Sequence, residues 1–569
     1  MTRRILTLAL VATFVAHSAG LRGAPLRISS ASGGAGAAPP ASPDIARMEQ
    51  VIQSFVASKQ FMGAVLVARG NDKLLDKGYG FADLEWKVPD SPKTKFRLGS
   101  ITKQFTAASI LLLQERGKLN VHDAVKKYMP DAPAAWDKIT IFNLLTHTSG
   151  IPNFTSFPDY ESLQALPATP EQLLKRFRDK PLDFQPGEKW DYSNSNYVLL
   201  GYLIEKISGE TYQRFLQENI FKPLGMEDSG YDSNFAVIPD RASGYVRFSD
   251  GFNNANYINM TVPFAAGALY STTGDLLRWE QGLFGGKLLS PASLKEMTTP
   301  FKNDYAFGLA VHTVNGREVI DHGGGINGFN TVLAYYPEDH LTVAVLANVN
   351  GGAPGEIAQD LGTLAEGGNV VLTSERKEVH IDPQIFDGYV GSYQLGPDFI
   401  LKVTRDGDHF ITQATGQGQV EIFPQSDRDF FAKVVDVQIT FVADKQGHTT
   451  ELILHQGGRD MHAPRVEGAA AALAPKEHKE VHVDPAIFDR YVGSYQLTPD
   501  FSIAITRDGD HLFEQATGQQ KFEILPEGER DYFLKVVDAQ ITFVTDSQGR
   551  ATELILHQGG RDQHAKRVE

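Results

Sequence analysis

The stretch "FRLGSITKQFTAASILLLQERGKL", residues 96–119, passes from polar residues through a glycine into a long apolar run, and places Ser100 three positions before Lys103. On an α-helix, positions i and i+3 share a face, so the hydroxyl and the amine can touch. A helix N-terminus also presents free N–H groups and positive potential, which suits a serine oxygen that gains negative charge. A lysine becomes a useful base only when its pKa falls from about 10.4, and burial along "FTAASILLL" supplies that desolvation. The same spacing also fits a capping serine and a surface lysine on an ordinary core helix. A second Ser-x-x-Lys, Ser374 to Lys377, lies in a charged linker with no apolar helix behind it, so only Ser100 is placed like a nucleophile.

Working outward, "GAVLVARGNDKLLDKGYGFAD" (residues 63–83) reads as two strands turning at Gly70 to Asp72. Before it, Ile45, Met48, Ile52 and Phe55 recur every three or four residues, the period of an amphipathic helix. Far downstream, "VIDHGG", "NTVLAYYPED" and "LTVAVLANV" read as further strands, after a stretch rich in helix and loop signals that runs to about Trp279. Helices between early and late strands imply one antiparallel sheet built from both ends of an α+β domain.

Beyond that domain the chain repeats itself. "VHIDPQIFDGYVGSYQLGPDF" (residues 379–399) returns as "VHVDPAIFDRYVGSYQLTPDF" (481–501), and "TELILHQGGRD" returns at the same offset of 102 residues, carrying His455 onto His557. Alternation in "FSIAITRDGDHLF", a turn at Asp508-Gly509 and β-branched runs such as "VVDAQITFV" predict a small antiparallel barrel or sandwich for each copy. The Ala-rich "GAAAALAPKEH" joins them.

At 569 residues and 42% apolar content, the chain can bury several cores. A net charge of −15 argues against a broad surface for nucleic acid or anionic membrane, so the expected partner is a small-molecule or peptide substrate. The absence of cysteine rules out disulfides, a thiolate nucleophile and Cys-based metal sites, and leaves covalent catalysis to oxygen or nitrogen. Arg3 and Arg4 followed by "ILTLALVATFVA" and small residues read as a cleavable signal over residues 1–20, which predicts a secreted or periplasmic protein. That 12-residue run is short against the roughly 20 residues needed to span a bilayer, so no span is expected in the mature chain. Residues 21–43, rich in Gly, Ala, Ser and Pro, read as a flexible tether.

Two further groups of residues complete the pattern. Tyr192-Ser193-Asn194 stands in a loop before a second apolar helix, with Tyr257 to Asn259 as a rival; His322-Gly323-Gly324 stands on a strand, with rivals at His455 to Gly457 and His557 to Gly559. The rivals in the repeats belong to the repeats' own strand pattern.

"GSITK", "YSN" and "HGGGINGF", in that order, resemble the serine β-lactamase and penicillin-binding-protein superfamily, in particular its class C β-lactamase-related branch of esterases and D-aminopeptidases. "LLTHTSGIPNF", "PLGMEDSGY" and "GALYSTTGDLLRW" resemble the same family, and the resemblance covers about residues 44 to 364. It implies a multidomain chain. A β-lactamase/transpeptidase-like α+β catalytic domain at 44–369 would be followed by two lipocalin-like all-β barrels at 370–467 and 479–569, with a linker at 468–478.

The resemblance implies Ser100 as the acylated nucleophile and Lys103 as its activating partner. Tyr192 would exchange protons with Ser100 and the leaving group as phenol or phenolate, and Asn194 would bond Lys103 and the substrate amide. His322 and Gly324 would line the cleft, with the N–H groups of Ser100 and Gly325 as the oxyanion hole. For His322, a strand-end histidine held by hydrogen bonds is the competing reading. No metal and no cofactor are implied.

β-Lactamases of this type carry lysine where this chain has His322, a permanent cation for the antibiotic carboxylate, whereas a histidine with pKa near 6.5 is mostly neutral at pH 7. An exported hydrolase of D-amino-acid-containing peptides or small esters is therefore expected ahead of a class C-type β-lactamase. A non-catalytic penicillin-, peptide- or ligand-binding protein is the alternative of another class. The barrels could cover the cleft, bind a ligand or mediate homo-oligomer contacts.

Overall fold

The structure is a computed structural model that describes residues 44–568, apart from residues 158, 249–250, 315, 397–398, 416, 434–436, 445, 457–458, 468–477, 499–500, 517–520, 535–538 and 559–560. The expected signal and tether, and all but the last residue of the Ala-rich linker, lie outside the described residues. The chain divides into two compact units, the first ending at Leu372 and the second beginning at Thr373.

The elements of the first unit that frame its centre are, in chain order, α1 (Ile45–Ala57), β1 (Gly63–Arg69), β2 (Asp72–Tyr79), α2 (Thr102–Glu115), α3 (Asn194–Ser208), α4 (Thr273–Phe284), β3 (Ala310–Val314), β4 (Arg317–Ile326), β5 (Phe329–Tyr336), β6 (Leu341–Ala347) and α5 (Ala353–Ala365). The strands form one antiparallel sheet in the order β3-β4-β5-β6-β1-β2, so the first and last parts of the unit do share a sheet.

Alternation along β1 shows why this sheet is covered on both sides. Val65 and Val67 join a core with Met48, Val51, Ile52 and Phe55 of α1 and Ile357 and Leu361 of α5. Ala64, Leu66 and Ala68 point the other way, into the core that holds α2 and α3. Helix α1 begins where Asp44 accepts a hydrogen bond from Arg47 N at 2.9 Å.

Helix α2 is buried from Thr102 to Leu113, as an apolar run with no clear polar face requires. Two of its polar side chains bond inside: Gln104 Oε1 accepts from Trp279 Nε1 at 2.8 Å, and Thr106 Oγ1 donates to Ala265 O at 2.7 Å.

The second unit contains two closed barrels of eight antiparallel strands in sequence order. In the first, Gly391–Gly396 pairs with Arg459–Val466; in the second, Gly493–Thr498 pairs with Arg561–Arg567. That pairing of first strand with last makes each copy a barrel rather than a sandwich. The expected turn is present, with Gly509 at φ +59° and Gly407 its counterpart at the same angle.

Aromatic side chains fill the barrels. Phe386 stacks on Phe410 at 4.2 Å between ring centres and Tyr389 on Phe441 at 4.2 Å, while in the second copy Tyr491 stacks on Phe543 at 4.4 Å. Among the described residues, no helix is long and apolar enough to cross a membrane.

Candidate active site

Ser100 sits in a single 3₁₀ turn, Gly99–Ile101, which runs directly into α2. The expected helix N-terminus is therefore present but tighter by one turn. Two glycines allow the turn to dock on the sheet. Gly99 has φ +53°, and a Cβ there would come 2.8 Å from Gly325 N; a Cβ on Gly324 would come 1.9 Å from Leu98 O. Thr331 Oγ1, on the strand beside Gly324, donates to Leu98 O at 2.8 Å and fixes the approach. Pairing of β4 with β3 stops at Asp321 while pairing with β5 continues to Ile326. The glycines of β4 thus extend past β3 and meet the Ser100 turn.

Lys103 is fully buried, and its Nζ touches three oxygens: Ser100 Oγ at 2.9 Å, Asn194 Oδ1 at 2.9 Å and Ala266 O at 2.8 Å. Burial holds its amine well below the ordinary lysine range. In the neutral form only two N–H bonds remain. Ala266 O and Asn194 Oδ1 can only accept, so they take both, and the nitrogen lone pair faces the Ser100 hydroxyl. The Asn194 amide is oriented by Thr155, whose Oγ1 gives its proton to Asn153 Oδ1 at 3.0 Å and so accepts from Asn194 Nδ2 at 3.1 Å.

Tyr192 lies in the loop that enters α3, with the Ser100 side chain near enough to act on its phenol. Burial pushes its phenol above the ordinary range and outweighs the opposite pull of Ser100, so the resting group is a phenol. Lys103 Nζ lies 4.8 Å from the centre of its ring.

The loop and the start of α3 are stitched to residues 147–155. Ser149 Oγ donates to Asn196 Oδ1 at 2.7 Å, Ser195 Oγ to Pro152 O at 2.7 Å, and Asn194 N to Asn153 Oδ1 at 3.1 Å. In the sequence this segment, "HTSGIPNFT", registered only as a flank of the resemblance; its polar density beside "YSNSN" was the available signal.

His322 is buried beside this group, with its ring centre 6.3 Å from that of Tyr192. Its Nδ1 lies 2.6 Å from Gly323 O, which can only accept, so Nδ1 carries the proton. Its Nε2 is then free to accept from the Tyr305 hydroxyl at 2.9 Å. Burial, and then the nearby Lys103, lower its pKa to about 4, so the imidazole is neutral at pH 7. Tyr305 carried no signal in the sequence, because a loop residue 17 positions away reaches His322 only through the fold.

The rival motifs are elsewhere. Ser374 and Lys377 are exposed. The side chain of Tyr257 is 56% exposed, and that of Asn259 is used within its own loop, accepting from Thr261 N and Oγ1. His455 bonds Thr440 and His557 bonds Thr542 within their barrels; Gly457 and Gly559 lie outside the described residues. Among the described residues, no cluster of three or more His, Cys, Asp or Glu side chains is arranged to hold a metal ion.

Comparison with known proteins gives the family of each part of the chain. The family described as Beta-lactamase matches residues 48–366, and a domain of unknown function, DUF3471, matches residues 375–467 and again 477–567. Penicillin-binding protein 4* of Bacillus subtilis is 30% identical over 454 residues, which cover 74% of this chain and 98% of that protein.

Among solved structures, the octameric penicillin-binding protein homologue from Pyrococcus abyssi is 26% identical with a TM-score of 0.54, over 74% of this chain and 100% of the other. A D-stereospecific amidohydrolase from a Streptomyces species is 28% identical with a TM-score of 0.50, over 56% of this chain and 98% of the other. With its first unit matched almost from end to end and two DUF3471 domains behind it, the chain belongs to the beta-lactamase family of penicillin-binding-protein-like serine hydrolases.

Proposed function

We propose that this protein is an exported hydrolase that cleaves an amide or ester, in a D-amino-acid-containing peptide or a small ester, through an acyl-enzyme on Ser100. The observation that carries this reading is the triple contact of Lys103 Nζ, in which two oxygens that only accept leave the lone pair to Ser100. Export rests on the basic and apolar pattern of residues 1–20.

Lys103 takes the Ser100 proton as Oγ attacks the substrate carbonyl. The carbonyl oxygen becomes an oxyanion and accepts from the N–H groups of Ser100 and Gly325, which adjoin where Gly99 packs on Gly325. The Tyr192 phenol gives its proton to the leaving amine or alcohol as the tetrahedral species collapses, and the proton that Lys103 took from Ser100 restores the phenol. A water then attacks the ester carbonyl. Its proton passes to the same groups, the acid product leaves and Ser100 is restored. Asn194 orients Lys103, while Gly324 lets the turn reach the strand.

His322 narrows the substrate. As a neutral ring engaged by Gly323 O and Tyr305, it offers no fixed cation to a substrate carboxylate, which favours amides and esters over β-lactams. The D-stereospecific amidohydrolase among the similar structures is consistent with that preference.

The test is intact-mass measurement of native protein and Ser100→Ala after exposure to a fluorophosphonate probe, beside hydrolysis of p-nitrophenyl esters and D-amino-acid amides. An adduct and turnover on the native chain alone are expected. Equal turnover by Ser100→Ala would overturn the reading.

A further inference from the structure

His147 lies on neither α2 nor β4, yet it grips the backbone on both sides of Tyr192. Its carbonyl oxygen accepts from Asp191 N at 2.9 Å, and its ring Nδ1 accepts from Ser193 N at 3.2 Å. The same Nδ1 lies 3.2 Å from Asn196 Nδ2, itself a donor because Asn196 Oδ1 accepts from Ser149 Oγ. A nitrogen facing two N–H donors must present its lone pair, so the ring is the neutral tautomer with its proton on Nε2.

The side chain is completely buried, and its Nε2 has no hydrogen-bond partner. It is ringed by Tyr192 at 4.4 Å, Tyr305 at 4.9 Å and Tyr197 at 5.1 Å between ring centres. The residue also holds φ at +55°, a left-handed conformation that costs a non-glycine residue about 1 kcal/mol or more. A strained backbone that directs a carbonyl and a ring nitrogen to the two N–H groups flanking one tyrosine is more than core filling requires.

We infer that His147 is the positioning residue for Tyr192: a neutral double acceptor that fixes the phenol against Ser100 without touching substrate. This deepens the acyl-enzyme reading and rests on it. A protonated ring would lose the acceptor, and burial opposes that protonation by holding the ring well below the ordinary histidine range. The proton-transfer step therefore depends on His147, while substrate binding does not.

The experiment compares native protein, His147→Leu and His147→Asn on one p-nitrophenyl ester, after circular dichroism has established folding. Asparagine can place Oδ1 close to the position of Nδ1 and keep the acceptor; leucine cannot. If a loose Tyr192 moves by about 1 Å, kcat falls by roughly 100-fold, so that loss is expected for His147→Leu, with KM within about threefold and most of the loss recovered in His147→Asn. A folded His147→Leu with native kcat, or an Asn variant no better than Leu, overturns the inference.

Nitrogen-15 spectra of the native protein test it without a substitution. A bare Nδ1 between pH 6 and 8 supports it, and a proton on Nδ1 overturns it. Native protein that neither hydrolyses the ester nor takes the fluorophosphonate removes the acyl-enzyme reading first, which is a different result from an active native protein indifferent to residue 147.

Discussion

Replacing Gly324 by alanine tests the docking of the Ser100 turn on β4. The added Cβ would stand 1.9 Å from Leu98 O and 2.4 Å from Thr331 Oγ1, whereas real Cβ atoms essentially never approach closer than 3.0 Å. Leu98 and Gly324 must therefore separate by about 1.1 Å. Leu98 O is backbone, two residues before the nucleophile, so the separation moves Ser100 away from Gly325 and cannot be absorbed by a rotamer change.

A displacement of about 1 Å at reacting groups costs roughly 100-fold in rate, and overpacking of this kind costs about 1–3 kcal/mol in stability. The neighbouring glycine is the control, because a Cβ on Gly323 would meet only Thr331 O, at 3.7 Å. In a fluorophosphonate-labelling time course with thermal melts alongside, Gly324→Ala should label about 100-fold more slowly, and Gly323→Ala should stay within about twofold of native. Native labelling by Gly324→Ala, or equal damage from both substitutions, would refute the claim that this contact sets the nucleophile.

Two more expectations concern other parts of the chain. His322 titrates at about 4 when folded and near 6.5 when unfolded, so between those values the unfolded chain binds the extra proton; stability is full above about pH 6.5 and is lost as pH falls toward 4, by up to about 3 kcal/mol. Melts from pH 4 to 8 should show that loss, and His322→Gln should flatten part of it; an unchanged pH slope would contradict the buried neutral ring. Truncation after Leu372 removes both barrels and leaves the sheet and helical core of the first unit whole, so turnover of small esters should survive it; complete loss, in a folded truncation, would make the barrels part of the catalytic apparatus.

The sequence by itself determined what local periodicity and spacing can determine. The alternation of residues 63–79, the apolar run after Ser100 and the 102-residue repeat each carry their structure in their own pattern, and the hydroxyl and amine of Ser100 and Lys103 meet because one helical turn brings them together. The motif at Tyr192 to Asn194 could be read as belonging with them only through family resemblance, since nothing local joins residues about 90 positions apart.

Tertiary structure decided the rest. Only packing reveals that Ala266 O is an acceptor on Lys103, that Tyr305 engages His322, or that His147 holds both sides of Tyr192. It also chose barrel over sandwich, because closure depends on the first strand of each repeat meeting its last. These are contacts between segments far apart in the chain, made by residues whose types alone fit many environments. Their protonation states follow from burial, which no stretch of sequence carries within itself.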